Sequence, residues 1–336
     1  MKLKCAVAGL GTNGAMHYAQ LKQMDSVDIV AVSDPRLDEL SDHVDLSGVE
    51  HTFTDYDALL GYGDFEAIFI FTPSGQHIEH IRKAAAAKKH IFCEKPLGKD
   101  ESIEECEATL DFVRQQGVKL QIGFNRRFDP QFRDIHERVK AGEIGRPHIV
   151  RVVARDPFVL PYDFIRNSGG LIQDFAAHDF DMVSYQAGSR ITEIYLQGTT
   201  LIDPGLAELN DIDTLTASCK LEKDGFGLID ESRKAVYGYD QRVEVFGEKG
   251  MLKAENVTES TVELYNDEAI SLRKPLDYYL NRFKQAYIFE KASFIDSVVN
   301  DKPIVCTGEE ALNAMRCCIA AQRSLDTGLP VKVSYE

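Results

Sequence analysis

Hydrophobic residues in the first third of the chain fall into short runs separated by longer amphipathic stretches. The runs are rich in Val, Ile and Phe, as in LKCAVAGL, VDIVAVSD, EAIFIFT, HIFCEK and VKLQIGF. Segments with helical spacing lie between them, for example QHIEHIRKAAAAKK. Apolar strands joined by helix-length crossovers are typical of a parallel sheet covered on both faces. The pattern predicts a doubly wound α/β domain over residues 1–122.

Beyond Arg126 the spacing changes to an alternation of apolar and polar residues, in runs such as PHIVRVVARD, ITEIYLQGTT, DTLTASCKLE and DQRVEVFGE. Alternation indicates an antiparallel sheet with one buried face. Two helical stretches, PLDYYLNRFKQAYIFEKASFIDSVV and TGEEALNAMRCCIAAQRSLDTG, close the chain, and one face of the sheet is expected to lie against helices. The sequence predicts an α+β domain with a large, mostly antiparallel open sheet over residues 123–336. Its other face is the expected surface for self-association.

Composition narrows the choice of ligand. The chain has 336 residues and a formal charge of -16, which disfavours nucleic acid as a partner. Apolar runs are too short to span a membrane, and the N-terminus enters a strand without a signal sequence, so we expect a cytoplasmic protein. The seven cysteines are scattered without a CxxC pair, which favours free thiols over a metal site. A small molecule is the expected ligand.

The first predicted strand ends in GLGTNG, where Gly9, Gly11 and Gly14 match G-x-G-x-x-G. Such a turn allows a tight bend, lets the backbone approach a pyrophosphate and places the phosphate at a helix N-terminus. Asp34 ends the next strand, where its carboxylate would bind the ribose hydroxyls and repel a 2′-phosphate. The sequence therefore predicts a Rossmann-type NAD site, with NADP as the alternative if Arg36 binds that phosphate. Thr12 and Asn13 lie in the same turn and are assigned to the cofactor site.

Two further strand ends carry polar side chains. In FTPSGQH, Thr72 and Pro73 are predicted to shape the rim of the cofactor site, and His77 either contacts the ligand or caps a helix. In HIFCEKPLG, Glu94 and Lys95 end the next strand and are assigned to the cofactor site. Beside a nicotinamide, Lys95 would donate a hydrogen bond to a substrate oxygen and stabilise the negative charge that develops there. The alternative for Lys95 is a surface ion pair with Glu94.

The segment SGGLIQDFAAHDFD places Asp174 and His178 four residues apart. If a helix starts at Ser168 to Gly170, both side chains lie on one face. The carboxylate would then fix the imidazole tautomer and make His178 an oriented general base. The alternative is a helix N-terminus whose acids complement the dipole. No metal site is predicted, because the histidines have no ligand spacing.

The combination of GLGTNG, TPSGQH, CEKP, GFNRRFDP and D-x-x-x-H resembles the Gfo/Idh/MocA oxidoreductases, and YGYDQRVEVFGEKGML is similar to their inositol 2-dehydrogenase branch. The resemblance covers nearly the whole chain. Thr12 and Asn13 depart from the basic and apolar pair usual in the phosphate turn. The resemblance implies a catalytic triad of Lys95, Asp174 and His178, and an assembly of two or four copies through the C-terminal sheet.

On this reading the chain transfers hydride between a ring carbinol of a cyclic polyol, such as myo-inositol, and NAD. A polyol suits the side chains available, and the chain has no Trp to stack on a flat ring. The alternatives are a dehydrogenase of an aldose, keto-sugar or sugar acid, and a non-catalytic NAD-binding regulatory protein. Asp179 is expected to point into the structure. Predicted substrate contacts beyond the triad are Asn125, Arg127, Asp156, Asp181 and Tyr237, with Tyr239 as the alternative to Tyr237.

Overall fold

A computed structural model describes residues 2–40, 43–99 and 102–335 and divides the chain into two compact units. Unit 1 comprises Met1–Asn125 and Tyr287–Leu312, and unit 2 comprises Arg126–Ala286 and Asn313–Glu336. The sequence predicted one boundary after residue 122, whereas the structure also groups Tyr287–Leu312 with unit 1. The reason is apolar packing: Phe294 and Ile295 belong to the same core as Phe69 and Phe92. The Phe294 ring lies 5.4 Å from that of Phe69.

Unit 1 is built on a six-stranded sheet in the order β3-β2-β1-β4-β5-β6, and every pair in it is parallel. Its strands are almost wholly buried, as expected for a sheet covered on both faces. The elements in chain order are β1 Leu3–Ala8, α1 Thr12–Lys22, β2 Val27–Ser33, α2 Leu37–Leu40, β3 His51–Phe53, α3 Tyr56–Tyr62, β4 Ala67–Ile70, α4 His77–Ala86, β5 His90–Glu94, α5 Ile103–Gln116 and β6 Leu120–Gly123.

The strand order reverses between β1 and β4, which is the topological switch point of a doubly wound sheet. Ligands of such sheets bind beyond the carboxyl ends of the strands near that point. Four predicted positions follow strand ends along this edge: Gly9 after β1, Asp34 after β2, Thr72 after β4 and Lys95 after β5. The topology therefore brings the predicted cofactor motifs to one edge of unit 1.

Unit 2 contains a seven-stranded sheet in the order β12-β11-β7-β10-β9-β8-β15. The β7–β10 pair is parallel and the other pairs are antiparallel. The predicted fold class is confirmed for both sheets. The remaining elements of the chain are α6 Pro130–Lys140, β7 Pro147–Arg155, α7 Tyr162–Ser168, a π-helix Leu171–Ala176, α8 Ala177–Ala187, β8 Ile191–Thr199, β9 Thr214–Leu221, β10 Gly225–Ser232, β11 Asp240–Gly247, β12 Gly250–Ala254, β13 Leu264–Tyr265, β14 Ile270–Ser271, α9 Tyr279–Arg282, α10 Lys284–Val299, α11 Gly308–Thr327 and β15 Val331–Lys332.

The helix α8 packs closely on one face of this sheet. A Cβ on Gly227 of β10 would lie 2.6 Å from Cγ1 of Val183, so the glycine is needed for the helix to approach. The opposite face carries exposed side chains, and alternate residues of β9 and β10 point to it. Among the described residues, no helix combines the length and hydropathy needed to cross a bilayer.

Candidate functional site

The glycines of the first turn serve two different purposes. Gly9 has φ +90°, and a Cβ there would lie 2.6 Å from the carbonyl carbon of Phe71. A Cβ on Gly14 would lie 2.1 Å from the oxygen of Gly9. At Gly11, by contrast, the nearest atom is Nη2 of Arg36 at 3.6 Å, so protein packing does not require a glycine. The free space over Gly11, directly before α1, fits a pyrophosphate at the helix N-terminus.

Asp34 is held rigidly at the end of β2. Its side chain is buried, Oδ2 accepts a 2.7 Å hydrogen bond from the Leu10 N–H, and Oδ1 accepts one of 2.9 Å from the Arg36 N–H. The Arg36 side chain is 59% exposed, with Nε 3.8 Å from Asp34. Thr12 and Asn13 are exposed at the start of α1. A fixed carboxylate beside the phosphate turn suits the two ribose hydroxyls of NAD.

His77, predicted to contact the cofactor, is buried at the start of α4. Its Nδ1 lies 2.7 Å from the oxygen of Pro96, and its Nε2 lies 3.0 Å from the oxygen of Thr72. The Thr72 hydroxyl lies 3.0 Å from Nδ1 of His80. His77 therefore ties together the loops that follow β4 and β5, one of which carries Lys95. Pro73 precedes the short 3-10 turn that leads into His77.

Glu94 and Lys95 interact with each other at the end of β5. The Lys95 N–H donates to Oε2 of Glu94 at 3.2 Å, and the two opposite charges attract each other. Oε1 of Glu94 lies 2.9 Å from Nε2 of His17. A Cβ on Gly123 of β6 would come within 2.9 Å of the same oxygen, so a glycine there makes room for the carboxylate.

A group that sequence reasoning missed lies behind Glu94. His17, Glu94 and Glu290 present ligand atoms within 4.8 Å of one another. Such a set can hold a cation, but Lys291 already brings an ammonium to this cluster, 2.9 Å from Nδ1 of His17. We therefore assign the charge balance of the cluster to Lys291. The signal in the sequence is weak, because Glu290 and Lys291 lie almost 200 residues after Glu94.

In unit 2, the segment around Asp174 differs from the single α-helix that its spacing predicted. The helix α7 ends at Ser168, and Gly169 and Gly170 follow with φ +90° and +75°. A Cβ on Gly170 would lie 2.6 Å from Oδ1 of Asp211, and the same oxygen accepts a 2.9 Å hydrogen bond from the Leu171 N–H. The chain then forms a π-helix to Ala176 before α8 begins. The glycines break the helix, and Asp211 starts the next one.

Asp174 lies in the π-helix and His178 in the first turn of α8, and both are half-buried. Four residues span about one turn in either kind of helix, so the pair stays close to one face. π-helical turns occur frequently at functional sites. The arrangement suits a carboxylate that orients a neighbouring imidazole while the ring stays accessible to a ligand.

Asp156 lies close enough to Asp174 to be affected by its charge. Burial, opposed by Arg233 and reinforced by Asp174, raises the pKa of Asp156 to about 7. The Arg233 Nη1 lies 4.0 Å from the Asp156 carboxylate. Tyr278, which sequence reasoning missed, is affected by the charges of both aspartates. Its ring lies 5.0 Å from that of Phe158, near the end of the ARDP motif.

Two acids of α8 form ion pairs with Arg126 and Arg127, which are neighbours in the sequence. Asp179 and Arg126 form a fully buried ion pair, so Asp179 points into the structure. Asp181 accepts two hydrogen bonds from Arg127, from Nε at 2.8 Å and from Nη2 at 2.5 Å. The predicted substrate residues Arg127 and Asp181 are thus bound to each other. Buried Glu231 adjoins Asp179, and burial together with that neighbour raises its pKa well above the usual range.

The remaining predicted contacts have mixed positions. Tyr237 is partly exposed, donates to Oδ2 of Asp240 at 2.5 Å and accepts from Nη1 of Arg155 at 3.0 Å. Tyr239 is buried, with its ring 5.9 Å from that of Tyr278. Asn125, the last residue of the first segment of unit 1, is buried as well.

Comparison with known proteins identifies relatives along the whole chain. A model of an oxidoreductase family with an NAD-binding Rossmann fold, GFO_IDH_MocA, matches residues 3–124, and the GFO/IDH/MocA C-terminal domain matches residues 132–253. The chain is 42% identical to the uncharacterized oxidoreductase YrbE of Bacillus subtilis, over 98% of this chain and 96% of that protein. It is 37% identical to the myo-inositol 2-dehydrogenase of Thermotoga maritima, over 98% of each.

A solved structure adds a bound cofactor. The scyllo-inositol dehydrogenase of Lactobacillus casei, crystallised with NAD(H) and scyllo-inositol, superposes with a TM-score of 0.91 at 31% identity. The match covers 99% of both chains. The resemblance inferred from the motifs, the NAD cofactor and the enzymatic nature of the protein are confirmed. The chain therefore belongs to the Gfo/Idh/MocA family of NAD-dependent oxidoreductases.

Proposed function

We propose that the protein oxidises one ring hydroxyl of an inositol, most simply myo-inositol, to the corresponding ketone. The observation that carries the proposal is the position of Asp174 and His178 at the junction of the π-helix and α8, in a chain whose other unit binds NAD. Relatives named as inositol dehydrogenases match this chain over nearly its full length, which supports a cyclic polyol as the substrate.

In the proposed reaction His178 accepts the hydroxyl proton. The C–H bond of the same carbon breaks and a C=O bond forms, so one hydride with its two electrons leaves the ring. NAD, when bound, supplies the hydride acceptor. Lys95 donates a hydrogen bond to the oxygen as negative charge develops there. Asp174 keeps the ring of His178 oriented and stabilises its protonated form.

The ion pair of Arg127 with Asp181 limits which residues can contact the substrate. Arg127 donates to both oxygens of Asp181, so we propose that this pair supports the residues around the substrate and does not bind the substrate itself. Asp156 and Tyr237 keep the role of polyol contacts in the proposal, since Tyr237 retains an exposed surface and Asp156 lies near Asp174. A carboxyl that is half-protonated near neutral pH both donates to and accepts from hydroxyls.

The test is turnover on a panel of myo-, scyllo- and chiro-inositol, glucose, xylose and gluconate, with NAD and with NADP. Wild type, His178→Gln and Lys95→Met are compared with the control His136→Gln. His136 donates from Nδ1 to the Tyr185 oxygen at 2.8 Å and stacks on the Tyr185 ring, and it belongs neither to the proposed triad nor to the cofactor turn. We expect oxidation of an inositol with NAD that only the first two substitutions abolish. If only a sugar is oxidised, the mechanism stands and the protein is the sugar dehydrogenase of the first alternative. NAD binding without any turnover would favour the regulatory alternative.

We also propose that two copies pair through the open face of the unit 2 sheet. The register brings Phe226, Ile149, Phe246 and Met251 into one row, and three of these side chains are about half exposed. In the adjacent row Arg151 lies beside Glu244 of the same chain. A two-fold axis would let each of these residues meet the opposite charge on the second copy. Sedimentation velocity should show a dimer or tetramer that Phe226→Glu with Phe246→Glu dissociates. A monomeric wild type would refute this surface.

A further inference from the structure

A buried cluster in unit 1 contains titratable groups to which the proposed reaction gives no role. His17 is 1% exposed, and Glu290 and Lys291 are fully buried. They gather behind Glu94, whose side chain is 15% exposed. Buried ionisable groups cost free energy, so a cluster beside a catalytic segment calls for a functional explanation.

The hydrogen bonds of the cluster have one consistent direction. The ammonium of Lys291 lies 2.9 Å from Nδ1 of His17 and 2.8 Å from Oε1 of Gln20. Nε2 of His17 lies 2.9 Å from Oε1 of Glu94. An ammonium only donates and a carboxylate only accepts, so both contacts suit a neutral His17 that carries its proton on Nε2. Burial and the charge of Lys291 lower the pKa of His17 to about 4, which keeps the ring neutral.

The charges of the cluster balance around Glu94. Burial opposes ionisation of Glu94, but the hydrogen bond from His17 and the charges of Lys95 and Lys291 outweigh it and lower its pKa. Burial and the charge of Glu94 raise the pKa of Glu290 well above the usual range, so Glu290 is protonated. One carboxylate therefore faces the buried ammonium of Lys291.

The ring of His17 is fixed on both sides. It stacks on Phe71 at 4.2 Å with an interplanar angle of 8°, and Tyr287 meets it edge-on at 5.2 Å. Phe71 immediately precedes Thr72 at the end of β4. The groups that face Lys291 are then His17 and Gln20 from α1, Glu94 from β5, and Glu290 and the ring of Tyr287 from its own helix.

We propose that Lys291 and His17 are positioning residues for Lys95. Through His17, the ammonium of Lys291 holds the Glu94 carboxylate in place and balances its charge. Glu94 in turn accepts a hydrogen bond from the backbone N–H of Lys95. Lys95 thereby keeps its orientation and its capacity to stabilise the substrate oxyanion. The inference rests on the role that the proposed function gives Lys95.

Removing the charge of Lys291 leaves Glu94 without its balancing cation. The carboxylate then attracts the Lys95 ammonium more strongly and weakens its hydrogen bond to the reacting oxygen. Burial lowers the pKa of Lys291 to about 8 against the attraction of its acidic neighbours, of which Glu94 is the charged one. In the wild type we therefore expect kcat to fall as the pH rises through about 8, because Lys291 loses its proton there.

The experiment measures kcat and KM from pH 6 to 10, together with the dissociation constant of NAD, for wild type, Lys291→Met, His17→Gln and His17→Leu. Lys291→Met should lower kcat about tenfold at neutral pH and abolish the decline near pH 8, with NAD affinity little changed. Glutamine at position 17 both accepts from Lys291 and donates to Glu94, so His17→Gln should retain most of the rate that His17→Leu loses.

The control is Lys119→Met, which removes a lysine that also reaches α10. Its ammonium donates to the Ser297 oxygen at 2.8 Å, near the end of that helix, and the substitution should leave kcat and its pH profile unchanged. An unchanged alkaline decline in Lys291→Met, or equal rates for His17→Gln and His17→Leu, would overturn the inference. If Lys291→Met fails to fold, the comparison of His17→Gln with His17→Leu still tests the inference. If the wild type oxidises only another polyol, the proposed substrate fails while the same profiles on that polyol still test the inference.

Discussion

Replacing Asp156 with asparagine should change the pH dependence of stability in a defined direction. Asp156 is 4% exposed, and burial, opposed by Arg233 and reinforced by Asp174, raises its pKa from 3.8 to about 7. Between these values the folded protein binds a proton that the unfolded chain has released. The stability contributed by the protonated carboxyl is complete below about pH 4 and is lost as the pH rises through about 7.

The size of the effect follows from the width of that interval. A separation of about 3 pH units, at about 1.4 kcal/mol per unit, amounts to about 4 kcal/mol of unfolding free energy. An asparagine amide has no proton to lose in this range, so this part of the pH dependence disappears in Asp156→Asn. The difference in unfolding free energy, variant minus wild type, should therefore increase by about 4 kcal/mol from pH 4 to pH 8.

The assay is equilibrium unfolding in urea at a series of pH values, followed by far-UV circular dichroism because the chain has no Trp. The difference between the two proteins cancels the titration of groups that do not interact with Asp156, such as His17. Asp163→Asn serves as the control, since that side chain is 92% exposed on α7 and its substitution should give a flat difference. If the difference for Asp156→Asn is the same at pH 5 and pH 8, the assignment of a buried, protonated Asp156 is refuted.

Three further substitutions test separate contacts. Asp34→Asn should weaken NAD binding about tenfold and reduce the preference for NAD over NADP, as measured by calorimetry, because a charged acceptor for the ribose is lost. An unchanged preference would contradict that role. Arg127→Met should lower the free energy of unfolding in urea by about 3–5 kcal/mol, and adding Asp181→Leu should restore most of that loss. A loss below about 1 kcal/mol would contradict the buried ion pair. Gly170→Ala should cost about 1–3 kcal/mol and slow turnover, since φ is +75° and the new Cβ meets Asp211, whereas Gly188→Ala, with φ +56° and open space, should cost less. Equal effects of the two glycine substitutions would show that the Asp211 contact is unimportant.

The cofactor motifs could be placed from the sequence because parallel sheets follow a simple rule. Once the strands are recognised, the carboxyl ends of β1, β2, β4 and β5 must lie along one edge, and the motifs after them share that edge. The function of individual glycines was less predictable. Gly9 and Gly14 relieve contacts with the protein itself, while Gly11 leaves room for a ligand, and only the distances separate the two cases.

The geometry around Asp174 could be predicted only in part, because it depends on a distant residue. The four-residue spacing correctly indicated a helical segment. The choice of a π-helix after two left-handed glycines involves Asp211, forty residues later, which accepts the Leu171 N–H. The same applies to His17 and Lys291, which are 274 residues apart and meet only in the folded unit. Periodicity reports local structure and contains no information on such partners.

The charges of the π-helix and α8 show why polar residues in one motif cannot be assigned one role. Asp174, His178, Asp179 and Asp181 all lie within eight residues, and the sequence offered each of the acids except Asp179 to the substrate. In the folded unit Asp179 and Asp181 are buried and each is paired with its own arginine, so each pair is close to neutral. A neutralised pair contributes little to the potential at a nearby imidazole. Asp174 then remains the acid that the proposed reaction places beside His178, and because the charges of Asp174 and Asp156 act on each other, a substitution at Asp156 should alter both stability and catalysis.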